Sequence, residues 1–188
     1  MITVSDEISH TFAAKTNYPR TMEYNEKKMR RFVQQLPPED AKSILATATN
    51  GVLSLIGPDG APYGVPLSYC YDGDKKIYFH CAKSGYKLDC LNSGDGRCSF
   101  CVVAQDVVLP AEFTTLYRSV IVTGRLTIVS DIQEILTALR MLATKYSPGI
   151  DSANEISRNL DRLLVLCLDI STITGKESIE LVRIKQKK

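Results

Sequence analysis

Two tight turns cut residues 52–81 into three short apolar segments, and this spacing limits the fold more than any other feature of the chain. Residues 52–56 are apolar. Gly57-Pro58-Asp59-Gly60 follows, a run in which proline fixes φ, aspartate bonds nearby backbone and glycine admits positive φ. Residues 63–71 then carry Val65, Leu67, Tyr69 and Tyr71 at period two, the repeat of a half-buried strand. Asp72-Gly73-Asp74 turns the chain again, and Ile77-Tyr78-Phe79-His80-Cys81 reads as a third strand. Strands joined this closely pair antiparallel, so the segment predicts a three-stranded meander.

The rest of the chain extends this pattern. Pro37-Pro38-Glu39-Asp40 suits a first helical turn, and Ala41, Ile44, Leu45 and Ala48 recur at helical spacing until Asn50-Gly51. Ser84-Gly85 ends the third strand, and residues 86–91 predict a short helix. Residues 97–104 and 119–129 read as strands four and five, with Gly124 marking a bend or bulge. Ser130-Asp131-Ile132-Gln133 has the form of a capping box. It opens a helix with Ile132, Ile135, Leu136, Leu139, Leu142, Ala143 and Tyr146 on one face, ending at Pro148-Gly149. Ser152 and Glu155 suggest a second capping box and a shorter helix, and residues 163–170 are the sixth strand. The prediction is a mainly β domain over 29–188, a six-stranded antiparallel barrel with flanking helices, since closure removes unpaired edges. Residues 1–28 are polar and aperiodic and read as an N-terminal extension or arm.

Composition excludes several classes. With 188 residues, 23 basic and 21 acidic, the formal charge is +2, too small to argue for a nucleic-acid partner. No apolar stretch approaches the roughly 18 residues of a membrane helix. Asp6, Glu7, His10 and Lys15 stand where a secretory signal needs an apolar core, so a cytoplasmic protein is expected. Its six cysteines are then expected to be reduced. Cys98 and Cys101 form a C-x-x-C, but on a strand they face opposite ways, and no second pair or histidine cluster completes a metal site.

One segment draws attention for chemistry: His80-Cys81-Ala82-Lys83-Ser84-Gly85-Tyr86-Lys87-Leu88. A strand ends, Ser84-Gly85 turns the chain, and a helix starts with Lys87 in its first turn. Free N–H groups and the positive dipole end at a helix start bind phosphate, to which Lys87 adds a charge and Ser84 a hydroxyl. An ordinary helix start with a solvated lysine fits the local pattern as well. No catalytic triad or paired carboxylates can be proposed from spacing.

The motifs Gly64-Val65-Pro66-Leu67-Ser68-Tyr69-Cys70-Tyr71-Asp72, Ile77 to Ala82 and Gly85-Tyr86-Lys87-Leu88-Asp89 resemble the nitroimidazole-resistance branch of the pyridoxamine 5'-phosphate oxidase-like flavoproteins. The stretch from Glu112 to Gly124 and Ile173-Thr174-Gly175-Lys176 also resemble it, collinearly over about residues 29–184. The resemblance implies a split β-barrel homodimer with FMN at the interface. By position, Val65, Pro66, Leu67, Ser68 and Tyr69 would edge the flavin ring, largely through backbone. His80 and Cys81 would flank the ribityl chain, Ser84, Tyr86 and Lys87 would hold the phosphate, and Ser119 would lie near the ring. Tyr86 stands where this branch commonly has histidine. The C-terminal arginine- and histidine-bearing segment of true pyridoxamine phosphate oxidases is not visible, which argues against vitamin B6 oxidation. The activity implied is flavin-dependent reduction of small molecules. A non-catalytic flavin-binding or sensing protein, and a haem- or deazaflavin-using relative on the same barrel, remain as alternatives.

Overall fold

In the computed structural model, residues 28–187 are described; residues 1–27, most of the arm read above, lie outside the described residues. The strands are β1 (Asn50–Ile56), β2 (Pro62–Ser68), β3 (Cys70–Tyr71), β4 (Lys76–Ala82), β5 (Arg97–Leu109), β6 (Thr114–Ile128) and β7 (Leu163–Glu177). The helices are α1 (Pro38–Thr47), α2 (Tyr86–Ser93), α3 (Ile132–Tyr146), α4 (Ala153–Asn159) and α5 (Ile179–Gln186). One antiparallel sheet runs in the order β2-β1-β5-β6-β7-β4-β3.

This order corrects the expected meander. The segment 63–71 is two strands, which raises the count from six to seven. β2 pairs with β1 at one edge of the sheet, while β3 pairs with β4 at the other. Only Tyr69 separates them in sequence. Adjacent Cα atoms are about 3.8 Å apart, so Ser68 and Cys70 lie within roughly 7.6 Å. In a flat sheet the two edges would stand six strand spacings apart, roughly 29 Å. The sheet must therefore curl round on itself. The expected closure is not met as a hydrogen-bonded ladder: β2 and β3 are joined by the covalent chain at Tyr69, with no β2–β3 ladder among the described residues.

Side-chain alternation continues unbroken across this seam. Tyr63, Val65, Leu67, Tyr69 and Tyr71 all face the main core, with Leu53, Ile77, Phe79, Phe100, Val102, Val120, Val122, Leu166 and Leu168. Tyr69, Phe79 and Phe100 stack edge-on, with centroids 4.8 and 5.2 Å apart, an arrangement aromatic quadrupoles favour. α1 plugs this core with Ala41 and Leu45. A Cβ on Gly175 would stand 3.0 Å from that of Ala41, so glycine there lets the helix close onto β7.

A second core lies outside the barrel wall. Ala138, Leu139 and Leu142 of α3 pack on Cys70, Tyr78, Val165 and Cys167. The helix is capped by Asp131, whose carboxylate accepts the Glu134 N–H at 2.8 Å. The expected box at Ser130 is thus displaced by one residue. Glu134 instead accepts from Lys76 Nζ at 2.6 Å and from the Tyr78 hydroxyl at 2.8 Å. The box at Ser152 does not form, because Ser152 is already helical (φ −95°, ψ −2°); Asp151 accepts the Ala153 N–H. Asn50 and Gly51, expected to stop α1, already belong to β1. β5, β6 and β7 all run beyond their predicted spans, and Gly124 does mark a register shift in the β6–β7 pairing.

Candidate functional site

α3 and α4 stand over the end of β4 and the start of α2, leaving a cleft of about 860 Å³. That falls within the roughly 300–1,000 Å³ of small-molecule pockets. Ser68, His80, Cys81 and Lys87 line it from the barrel side. Leu139, Leu142, Ala143 and Tyr146 of α3 form an opposing wall. Ile150, Ile156, Arg162 and Leu163 continue it.

The local sequence explains the placement of the polar groups. β4 pairs with β7 through Ala82↔Leu163. Beyond this the chain turns through Gly85, whose φ of 128° is costly for any residue with a Cβ. That turn starts α2 with no side-chain cap. The first N–H groups of a helix have no intrahelical acceptor, and Lys87 stands among them. Neither Lys87 nor His80 has an ion-pair or hydrogen-bond partner for its side chain among the described residues. Burial pushes the Cys81 thiol up, and the Lys87 ammonium partly offsets this.

Tyr146 fixes the seam beside the cleft. Its hydroxyl accepts the Tyr69 N–H at 2.8 Å, and it can donate to the carbonyl oxygens of Tyr69, at 3.0 Å, and Thr49. These backbone groups flank the break in the β ladder. Tyr69 itself is fully buried and donates to the Leu45 carbonyl at 2.8 Å. Lys145 Nζ lies over its ring, 4.0 Å from the centroid, and burial pushes that ammonium's pKa down.

Of the eleven residues singled out in the sequence, four meet in the cleft: Ser68, His80, Cys81 and Lys87. The other seven do not line it within one chain. Val65 and Leu67 pack toward the barrel core, with Tyr69 between core and seam. Pro66 is exposed on the outer face of β2, and Ser84 is exposed in the turn before α2. Tyr86 turns toward the β1–β2 hairpin, 3.4 Å from an Asp59 oxygen and edge-on to Tyr63. Ser119 lies on β6 opposite Val103 and Lys176. Sequence reading missed Arg162 and the wall of α3. Tyr146 appeared only as an apolar-face residue; a hydroxyl at the last turn of that face was the available sign. Arg162 gave no local signal, since only the β4–β7 register brings it to the cleft.

The cleft therefore has one apolar wall and an unpaired lysine at a helix start, and it lies on a curled antiparallel sheet. The model of the pyridoxamine 5'-phosphate oxidase family matches residues 37–177, and the chain belongs to that family. Among solved structures, it is similar to a candidate 5-nitroimidazole antibiotic resistance protein of Bacteroides thetaiotaomicron VPI-5482. That match has 18% identity and a TM-score of 0.65, over 76% of this chain and 86% of the other. It is similar to the flavocytochrome Anf3 of Azotobacter vinelandii (20%, TM-score 0.63, 80% and 72%). It is also similar to an FAD and heme binding protein of Mycobacterium smegmatis (22%, TM-score 0.64, 77% and 73%). At these identities the likeness concerns the fold. No curated protein matches the sequence.

Proposed function

We propose that this protein binds FMN in the cleft, works as a homodimer, and reduces small molecules as a nitroimidazole-reductase-like enzyme. The observation that carries the reading is the meeting of Lys87, the uncapped start of α2 and an apolar wall in one cleft. These fit a flat ring with a phosphorylated tail: Lys87 and the free N–H groups suit the phosphate, and Leu139, Leu142 and Ile156 suit the ring system. Two of the similar structures have names that point to a flavin, one a flavocytochrome and one an FAD and heme binding protein, which supports a flavin as the class of ligand.

Bound FMN would supply hydride and electron transfer, while the protein positions it and excludes competing reactions. Lys87 would hold the phosphate end from within the cleft; Ser84 and Tyr86, which the resemblance also assigns to it, do not line the cleft within one chain. His80 and Cys81 would flank the ribityl chain. Of residues 65–69 only Ser68 lines the cleft, so the ring-edge contacts that the resemblance assigns to the others and to Ser119 are not made in the cleft of one chain. No protein acid or base is required, so no catalytic residue is assigned. The β5–β6 hairpin exposes Val103, Val107, Val108 and Phe113, the last 98% exposed. Such a patch is usual at protein interfaces, which supports the dimer. No helix among the described residues is long and apolar enough to cross a membrane, which is compatible with the cytoplasmic location we propose.

The test is the absorption spectrum of protein purified without added cofactor, followed by release of the chromophore. FMN near one per chain, and turnover with a nicotinamide donor and a nitro acceptor, are expected. Protein that takes up no FMN overturns the reading. FMN-loaded protein that turns over with no donor–acceptor pair overturns the reductase part.

A further inference from the structure

We infer that Arg162 is the second cation of the anion-binding end of the cleft, meeting the ligand's phosphate from the side opposite α2. This rests on the flavin reading above and adds a residue to it. The register Ala82↔Leu163 sets Arg162, one residue before β7 begins, level with the turn that leads from β4 into α2. Lys87 stands in the first turn of that helix, and both residues line the same cleft. The two cations reach it from separate elements.

Their electrostatic state supports the pairing. Lys76, Arg97, Arg118 and Lys185 are each engaged by a carboxylate. Arg162 and Lys87 have no such partner among the described residues. The carboxylates that share the cleft are hydrogen-bonded locally and pair with neither cation. Asp151 accepts the Ala153 N–H at 3.0 Å, and Glu155 accepts from the Asn159 amide at 2.8 Å. Tyr86, beside Lys87, points to Asp59 and brings no charge.

Asp151 and Glu155 line the same cleft and add negative charge, so one lysine does not balance a phosphate there. A phosphate monoester carries roughly −1.5 to −2 at neutral pH. Lys87 and a helix start supply about +1.5 together. A guanidinium adds further positive charge against these carboxylates, and its planar fork suits two phosphate oxygens at once.

The test compares FMN with riboflavin, which has the same ring and ribityl chain but no phosphate, by quenching of flavin fluorescence on the full chain. The variants are Arg162→Ala and Arg162→Lys, with Lys87→Ala as reference. Arg162 is exposed, and circular dichroism checks that the variants stay folded. Wild type is expected to prefer FMN. Arg162→Ala should weaken FMN binding roughly tenfold or more with riboflavin affinity unchanged, and Arg162→Lys should recover part of the loss. A wild type that binds neither flavin overturns the flavin reading and the role of Arg162 with it. A wild type that prefers FMN, with that preference intact in Arg162→Ala, overturns the role of Arg162 alone.

Discussion

The Tyr146 hydroxyl lies 2.8 Å from the Tyr69 amide nitrogen and 3.0 Å from the Tyr69 carbonyl oxygen, so a helix side chain serves the backbone at the point where the β ladder changes edges. A β ladder satisfies both groups of a residue through its neighbours; Tyr69, between two strands, gets that service from one phenol. Tyr146→Phe removes it and leaves a part-buried N–H without its acceptor. The expected loss is about 1–3 kcal/mol of stability, read by urea denaturation. Amide exchange at Tyr69 should quicken more than in β6. Unchanged stability together with unchanged exchange at Tyr69 would show that the seam holds without the phenol.

Lys87→Ala should weaken FMN binding while the fold stays intact. A hydrogen bond to a charged group is worth on the order of 1.5–3 kcal/mol, so roughly ten- to a hundredfold in affinity. Titration with FMN decides it. Equal affinity in variant and wild type removes Lys87 from the phosphate end.

The cysteines should differ in reactivity with iodoacetamide. Burial pushes the Cys98 and Cys167 thiols up to about 12 and Cys70 up to about 11. The reactive thiolate is therefore scarce at all three near neutral pH. Cys81 is only half-buried, lines the cleft and has Lys87 nearby. It should label ahead of these three, and FMN should protect it. Mass spectrometry of labelled peptides gives the order; Cys98 reacting as fast as Cys81 would contradict it.

Glu134 should contribute to acid sensitivity. Its hydrogen bonds from Lys76 and then Tyr78 hold its carboxyl below the ordinary value of 4.5. A lowered folded-state pKa means stability that is present above about 4.5 and is lost as the pH falls through the lower folded value. Both partners of the ion pair are about a third exposed, so the effect is modest after screening. Glu134→Gln should flatten the stability profile below pH 5, measured by thermal unfolding across pH. An identical profile in the variant would assign the acid transition to other groups.

Much of the barrel was legible because alternation reports which face a residue takes. Val65, Leu67, Tyr69 and Tyr71 were read as one face and do share one. The same signal is silent about neighbours: it continues unchanged through Tyr69, where the hydrogen-bonding partner passes from β1 to β4. The meander was therefore misread although the face given to Val65, Leu67, Tyr69 and Tyr71 was right. The caps at Ser130 and Ser152 failed for local reasons: Asp131 caps α3 one residue later, and Ser152 is already helical. In the cleft, the turn into α2 was visible because its residues are contiguous. Tyr146 and Arg162 reach it only through tertiary packing and strand register, which no spacing in the sequence encodes.

The seam at Tyr69 also limits how this barrel could be re-engineered. A residue added to the exposed hairpin at Asp72-Gly73 would lengthen a loop and little else. A residue added at Tyr69 would invert the parity of everything from Cys70 to the next turn, sending Tyr71 out of the barrel and Cys70 into it. It would also slacken the covalent link between the two sheet edges, which the shared core and the Tyr146 hydroxyl also hold. Circular permutants opened at that link should lose more stability than permutants opened at Asp72-Gly73. The chain thus has a clasp as well as a wall, and the clasp is one residue wide.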